Sequence, residues 1–113
     1  MQVDKSLLAG STSLLIMKLL SEQDMYGYQM ITVLRDRSDR TFDLKAGTLY
    51  PILHTLEQKG FIRARGEEGD SGRVRRWYSL TDAGRKALEL KEAEWRVFSG
   101  AVCKVLEGGA DVG

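Results

Sequence analysis

The chain is predicted to be mostly α with a small β-hairpin, an α+β domain, on three observations. Apolar residues recur at helical spacing in four separate stretches. Between the third and fourth of these, residues 61–80 turn β-branched, aromatic and arginine-rich around a glycine-containing turn. The length of 113 residues, with 42% apolar and 29% charged residues and a single proline, suits one compact core, and it excludes both a large multidomain enzyme and a disordered chain.

A first helix is expected from about Leu8 to Ser21, because Leu14, Leu15, Leu19 and Leu20 form a stripe that follows the small and polar Gly10, Ser11, Thr12 and Ser13. Its most apolar run, Leu14 to Leu20, is interrupted by Lys18 and has no basic leader before it, so it reads as a core helix rather than a signal peptide or membrane span. Asp24 is expected to cap a second helix that carries Gly27, Met30, Ile31 and Leu34 on one side and runs to about Arg37. The polar stretch Arg35 to Arg40 closes it with a loop.

The third helix is the most readable, at about residues 46–59. Leu49, Ile52, Leu53 and Leu56 obey the i, i+3, i+4, i+7 rule, and Gly60 stops it one residue past Lys59. Pro51 removes a backbone donor, so the regular part should begin no earlier than about Thr48, or else the start is bent. Phe61 to Arg65 and Val74 to Leu80 then read as two strands, with Gly66, Gly69, Asp70, Ser71 and Gly72 forming a long hairpin tip. Thr81 should cap the last helix, with Asp82 at its positive end and a stripe of Leu88, Trp95, Phe98, Val102 and Val105 in which Lys91 replaces the missing member. Residues 108–113 are expected to fray.

Three helices, a hairpin and a further helix is the order of a winged helix-turn-helix, whose third helix enters the DNA major groove. Opposite the Leu49, Ile52, Leu53, Leu56 stripe the third helix carries Gly47, Pro51, His54, Thr55 and Gln58, with Thr48 and Tyr50 on the flanks. These are small or hydrogen-bonding groups suited to close approach to bases and phosphates. The formal charge is only +1, but residues 35–80 hold 10 basic and 7 acidic side chains, which places the basic surplus on this part of the chain.

The run from Lys45 to Gly60, KAGTLYPILHTLEQKG, resembles the recognition-helix signature of the PadR family of bacterial transcriptional regulators. Tyr26-Gly27-Tyr28-Gln29-Met30 is similar to that family's second-helix motif, and Arg75 to Gly84 to its wing strand and entry to the last helix. The short length resembles the small subfamily with one C-terminal helix. The resemblance implies a homodimer that represses transcription at an inverted-repeat operator in double-stranded DNA and lets go when an effector binds. It implies DNA contacts from Thr48 and Tyr50, with Lys45 as a backbone anchor; His54 and Thr55 share that face, and Arg73, Arg75 and Arg76 would act from the wing. For these arginines the alternative is a solvated strand face, and Arg76, which alternates onto the side of Tyr78 and Leu80, has a structural alternative. Glu67, Glu68 and Asp70 would repel phosphate at the wing tip.

On this reading residues 1–80 form the DNA-binding domain and 81–107 a dimerisation helix whose interface is Leu88, Trp95, Phe98, Val102 and Val105. The alternative is that the stripe closes the monomer. Trp95 matches a tryptophan that lines a ligand pore in multidrug-sensing relatives. By that resemblance Leu14, Leu88 and Trp95 are pocket candidates for a planar aromatic effector, with Lys18 and Lys91 favouring an acidic one; equally, Trp95 is an interface anchor. Trp77 is expected in the core or supporting the wing.

An enzyme is disfavoured by the inventory. His54 is the only histidine and Cys103 the only cysteine, which leaves no disulfide and no multi-histidine metal site within one chain, and no cofactor is implied. The glycines of residues 66–72 lack the lysine and following helix of a phosphate loop. A winged helix that binds only protein is the remaining rival, without need for a basic wing. The thiol inventory fits a reducing cytoplasm, and Cys103 is either a small buried hydrophobe or an exposed thiol.

Overall fold

The computed structural model describes residues 2–68 and 74–109. The elements are α1 (Lys5–Glu22), β1 (Met25–Tyr26), α2 (Gly27–Arg37), α3 (Ala46–Gln58), β2 (Ile62–Glu68), β3 (Val74–Leu80) and α4 (Asp82–Glu107). The fold is α+β, a winged helix with one long additional helix, as the sequence predicts. No helix among the described residues is long and apolar enough to cross a membrane.

α1 starts three residues earlier than expected because Asp4 caps it, accepting from the Ser6 N–H at 2.9 Å. Its buried side, Ile16, Met17, Leu19 and Leu20, joins Met30 and Leu34 of α2, Leu49, Leu53 and Leu56 of α3, and Ile62 and Tyr78 of the sheet in one core.

Asp24 does not cap α2. Met25 and Tyr26 instead pair with Tyr78 and Trp77 as a short strand, which makes the sheet three-stranded in the order β1-β3-β2. Tyr26 becomes the residue before the helix, and its N–H donates to the Gln29 side chain at 3.1 Å. Asp24 is left free to pair with Arg65 at 3.6 Å.

α3 spans Ala46–Gln58, which agrees with the expected start at about residue 46, and Pro51 lies inside the helix. Pro51 is tolerated because the bond it cannot make would go to the carbonyl of Gly47, which is exposed and available to water. The helix then ends as predicted at a glycine. Gly60 has φ +77°, its N–H donates to Glu57 O, and the Phe61 N–H donates to Leu56 O, each at 3.0 Å. α2 closes in the same pattern, with Arg40 N–H on Arg35 O at 2.8 Å, but Asp39 and Arg40 occupy the left-handed region without being glycine.

β2 runs to Glu68, three residues past the expected Arg65. At the other end of the wing, Thr81 performs two tasks. Its hydroxyl accepts from the Gly84 N–H at 3.0 Å, capping α4, and donates to the Gly60 carbonyl at 2.6 Å. Gly84 lies against the Phe61 carbonyl so closely that any β-carbon there would overlap it. The start of α4 is thus seated directly on the turn that ends α3.

Candidate functional site

Burial of Leu49, Leu53 and Leu56 fixes the rotation of α3 and turns Gly47, Thr48, Pro51, His54, Thr55 and Gln58 outward, all exposed. Lys45 stands exposed at the N-cap position without a side-chain bond to the helix. The Thr55 hydroxyl donates to Pro51 O at 3.1 Å, so it faces outward as an acceptor. Tyr50 is 47% exposed, and the other half of its surface is committed inward. A β-carbon on Gly27 would stand 2.6 Å from its Oη, so Gly27 is the seat of the Tyr50 ring. Sequence reading placed Gly27 on the packed side of its helix but had no signal for this particular partner.

The strand register separates the wing arginines. Residues opposite one another share a face, so the pairs Ile62↔Leu80, Ala64↔Tyr78 and Gly66↔Arg76 define the face that meets the core. Arg76 therefore continues the line of Tyr78, as the alternation implied. Burial raises the Tyr78 phenol above its ordinary pKa, and the neighbouring Arg76 guanidinium pulls against that rise. Arg75 lies on the opposite face with Arg65 and Trp77. Its guanidinium sits 5.2 Å over the Tyr26 ring, which in turn meets Trp77 edge-on at 5.1 Å. Arg75 is thereby engaged in supporting β1 as well as exposed, a partnership that the missed strand concealed. Trp77 supports the wing as expected, and its Nε1 is buried without a hydrogen-bond partner among the described residues. Arg73 and Asp70 lie outside the described residues.

Between α1 and α4 a groove of ≈ 280 Å³ is lined by Gly10, Ser13, Leu14, Lys91, Glu94, Trp95 and Phe98. It brings together Leu14, Lys91 and Trp95 from the expected ligand set. It does not include Leu88 or Lys18. Leu88 is 6% exposed within the chain's own core, so it is neither interface nor pocket wall, and Lys18 is exposed outside the groove. Glu94 lines the same groove as Lys91, so the lining carries one charge of each sign. Beyond it, Trp95, Phe98, Val102 and Val105 are all exposed on the single chain, and Leu106, absent from the expected set, joins Phe98, Ala101, Val102 and Val105 around a second apolar hollow. Cys103 is exposed. No cluster of metal-ligating side chains occurs among the described residues.

Residues 16–90 match the model of the transcriptional regulator PadR-like family. The chain is 30% identical over 106 residues, 94% of its own length and 97% of the relative's, to "Uncharacterized protein X" of Lysinibacillus sphaericus. Among solved structures it is similar to a transcriptional regulator from Clostridium thermocellum, with TM-score 0.82 and 27% identity over 90% of this chain and 96% of that one. It is also similar to a PadR family transcriptional regulator from Eggerthella lenta, with TM-score 0.75 and 33% identity over 90% of this chain and 89% of that one. Family regulators of this kind are not enzymes, in keeping with the single histidine and single cysteine. The match spans every element from within α1 to the first turns of α4, and with the winged-helix architecture it establishes that this chain belongs to the PadR-like family of transcriptional regulators.

Proposed function

We propose that the chain is a cytoplasmic, homodimeric repressor that binds an inverted-repeat operator through α3 and the wing and is released by a small-molecule effector. The observation that carries the DNA-binding reading is the outward side of α3. Thr48, Pro51, His54 and Thr55 meet nothing that would hide them, whereas the other side of the same helix is sealed into the core. Such a helix can lie in a major groove and present donors and acceptors to base edges. Lys45 would anchor its start on the backbone, and the wing arginines Arg75 and Arg76, together with Arg73, would meet phosphates of the same duplex.

The dimer reading rests on the apolar face of α4, where Trp95, Phe98, Val102, Val105 and Leu106 are all exposed on the single chain. A two-fold pair would space two recognition helices about 34 Å apart, one turn of DNA. The effector reading rests on the Trp95 groove, which a second copy would enclose further.

The test is fluorescence anisotropy with labelled DNA from upstream of the chain's own gene against a shuffled duplex. A preference on the order of a thousandfold at physiological salt is expected. Equal, weak binding to both duplexes would overturn specific repression at that site and favour a protein partner. Arg76→Gln should flatten the salt dependence by about 0.9 log units for each phosphate it ceases to neutralise, and Arg75→Gln should flatten it less.

A further inference from the structure

A crevice of ≈ 670 Å³ opens between the first turns of α1 and the loop that joins α2 to α3. It is separate from the Trp95 groove and shares no lining residue with it. Val3, Leu8, Ala9 and Leu44 give it apolar walls, while Lys5, Arg40 and Lys45 stand around it against one carboxylate, Asp43. None of the three cations enters an ion pair among the described residues. Arg40 and the preceding Asp39 follow α2 in the left-handed conformation, and the Arg40 N–H donates to Arg35 O, which ties its backbone to the helix end. The one buried polar side chain on the wall, Thr12, is already satisfied by its bond to Leu8 O at 2.9 Å, so the polar demand of the crevice comes from its cations.

We propose that this crevice binds a small amphipathic anion, a single carboxylate or phosphate group on a compact apolar body, and that such a ligand competes directly with DNA. Its size falls within the range of small-ligand pockets, which join apolar walls to a few charged groups that fix orientation. A duplex backbone running past the surface would meet the cations but has no use for the apolar walls, and this favours a ligand that enters. Lys45 and Thr48 line the crevice and also belong to the proposed reading edge of α3, so one occupant excludes the other. This competition rests on the DNA-binding reading above; occupancy of the crevice does not.

Octanoate serves as the probe, with 1-octanol and inorganic phosphate as the two halves of its chemistry, read by backbone amide shifts of the full chain. Octanoate should move the amides of residues 3–12 and 40–48, and the other two should bind at least about tenfold more weakly. The double variant Lys5→Gln, Arg40→Gln should weaken octanoate about tenfold, and Trp95→Ala should leave it unchanged. With operator DNA present, the apparent Kd for DNA should rise in proportion to octanoate. Shifts centred on residues 10–14 and 91–98, equal binding of octanol, or no shift at millimolar octanoate would each overturn the site. Octanoate bound in the crevice without loss of DNA affinity would overturn the competition alone. A chain that binds no duplex would sink the DNA-binding reading, while the amide shifts would still decide the crevice.

Discussion

The two halves of α4 carry one continuous amphipathic pattern and meet opposite fates. Toward its start, Gly84 presses on the Phe61 carbonyl and Leu88, 6% exposed, completes the core. Further along, Trp95 is 48% exposed, Phe98 66% and Val105 83%, on a helix of 26 residues that is about 39 Å long and outruns its own domain. Helical periodicity reports that a face is to be buried and says nothing about which chain will bury it. Leu88 and Trp95 are one heptad apart and indistinguishable by spacing, yet one is core and the other is half-exposed on the single chain.

The largest expected effect comes from Leu88→Ala, which should cost about 2–5 kcal/mol of stability. The loss should appear in the urea midpoint at every protein concentration, and a loss that grew on dilution would break the contrast between the halves. Phe98→Ala should act the other way, leaving the midpoint of the dilute chain almost unchanged and weakening self-association by about 2 kcal/mol, roughly thirtyfold in the dimer constant, as read by sedimentation. Thr81→Ala removes the cap of the packed half and its tie to the Gly60 carbonyl, and should cost about 1 kcal/mol in the urea midpoint.

The smallest effect distinguishes that cap from the one on α1. Bonds from the Ser6 N–H and hydroxyl hold the Asp4 carboxyl below its usual range. Since the folded pKa is the lower one, the contribution is present above the unfolded carboxyl's range and is lost as pH falls through the folded value. Thr81 has no such dependence. Asp4→Asn, which keeps a capping oxygen but not the charge, should remove this acid sensitivity and leave the midpoint near neutral pH slightly lowered, toward its acid value, as followed by thermal melts across acid pH.

Local signals carried most of the fold. The Leu49, Leu53, Leu56 stripe, the Gly60 stop and the Thr81 cap each act within one turn of chain, and each stands where its chemistry places it. Asp24 misled because its capping chemistry was outcompeted by pairing of Met25 and Tyr26 with a strand some fifty residues away, a long-range event with no local trace. Pro51 left two readings of the helix start open, because the cost of its missing bond depends on whether water reaches the exposed Gly47, and the helix runs from Ala46 through it. In the candidate site, alternation alone put Arg76 with Tyr78. The contacts of Tyr50 with Gly27 and of Arg75 with Tyr26 join separate elements, so only the folded chain reveals them. In the groove, the absence of Leu88 and Lys18 and the presence of Glu94 follow from how α4 is rotated against α1, which spacing along one helix does not determine.

The strand order also dictates when the sheet can exist. β1 and β2 are never neighbours, because each pairs only with β3, the last of the three to leave the ribosome. Until residue 80 has emerged, two thirds of the chain can hold helices and a collapsing cluster of leucines but not one ladder of the sheet. Completion then depends on β3, which pairs with both edges, supplies Tyr78 to the core and leads into Thr81, whose hydroxyl ties the turn beneath α4 to the Gly60 carbonyl. Translation arrested anywhere before β3 would therefore leave an unclosed chain with its leucine core open to chaperones.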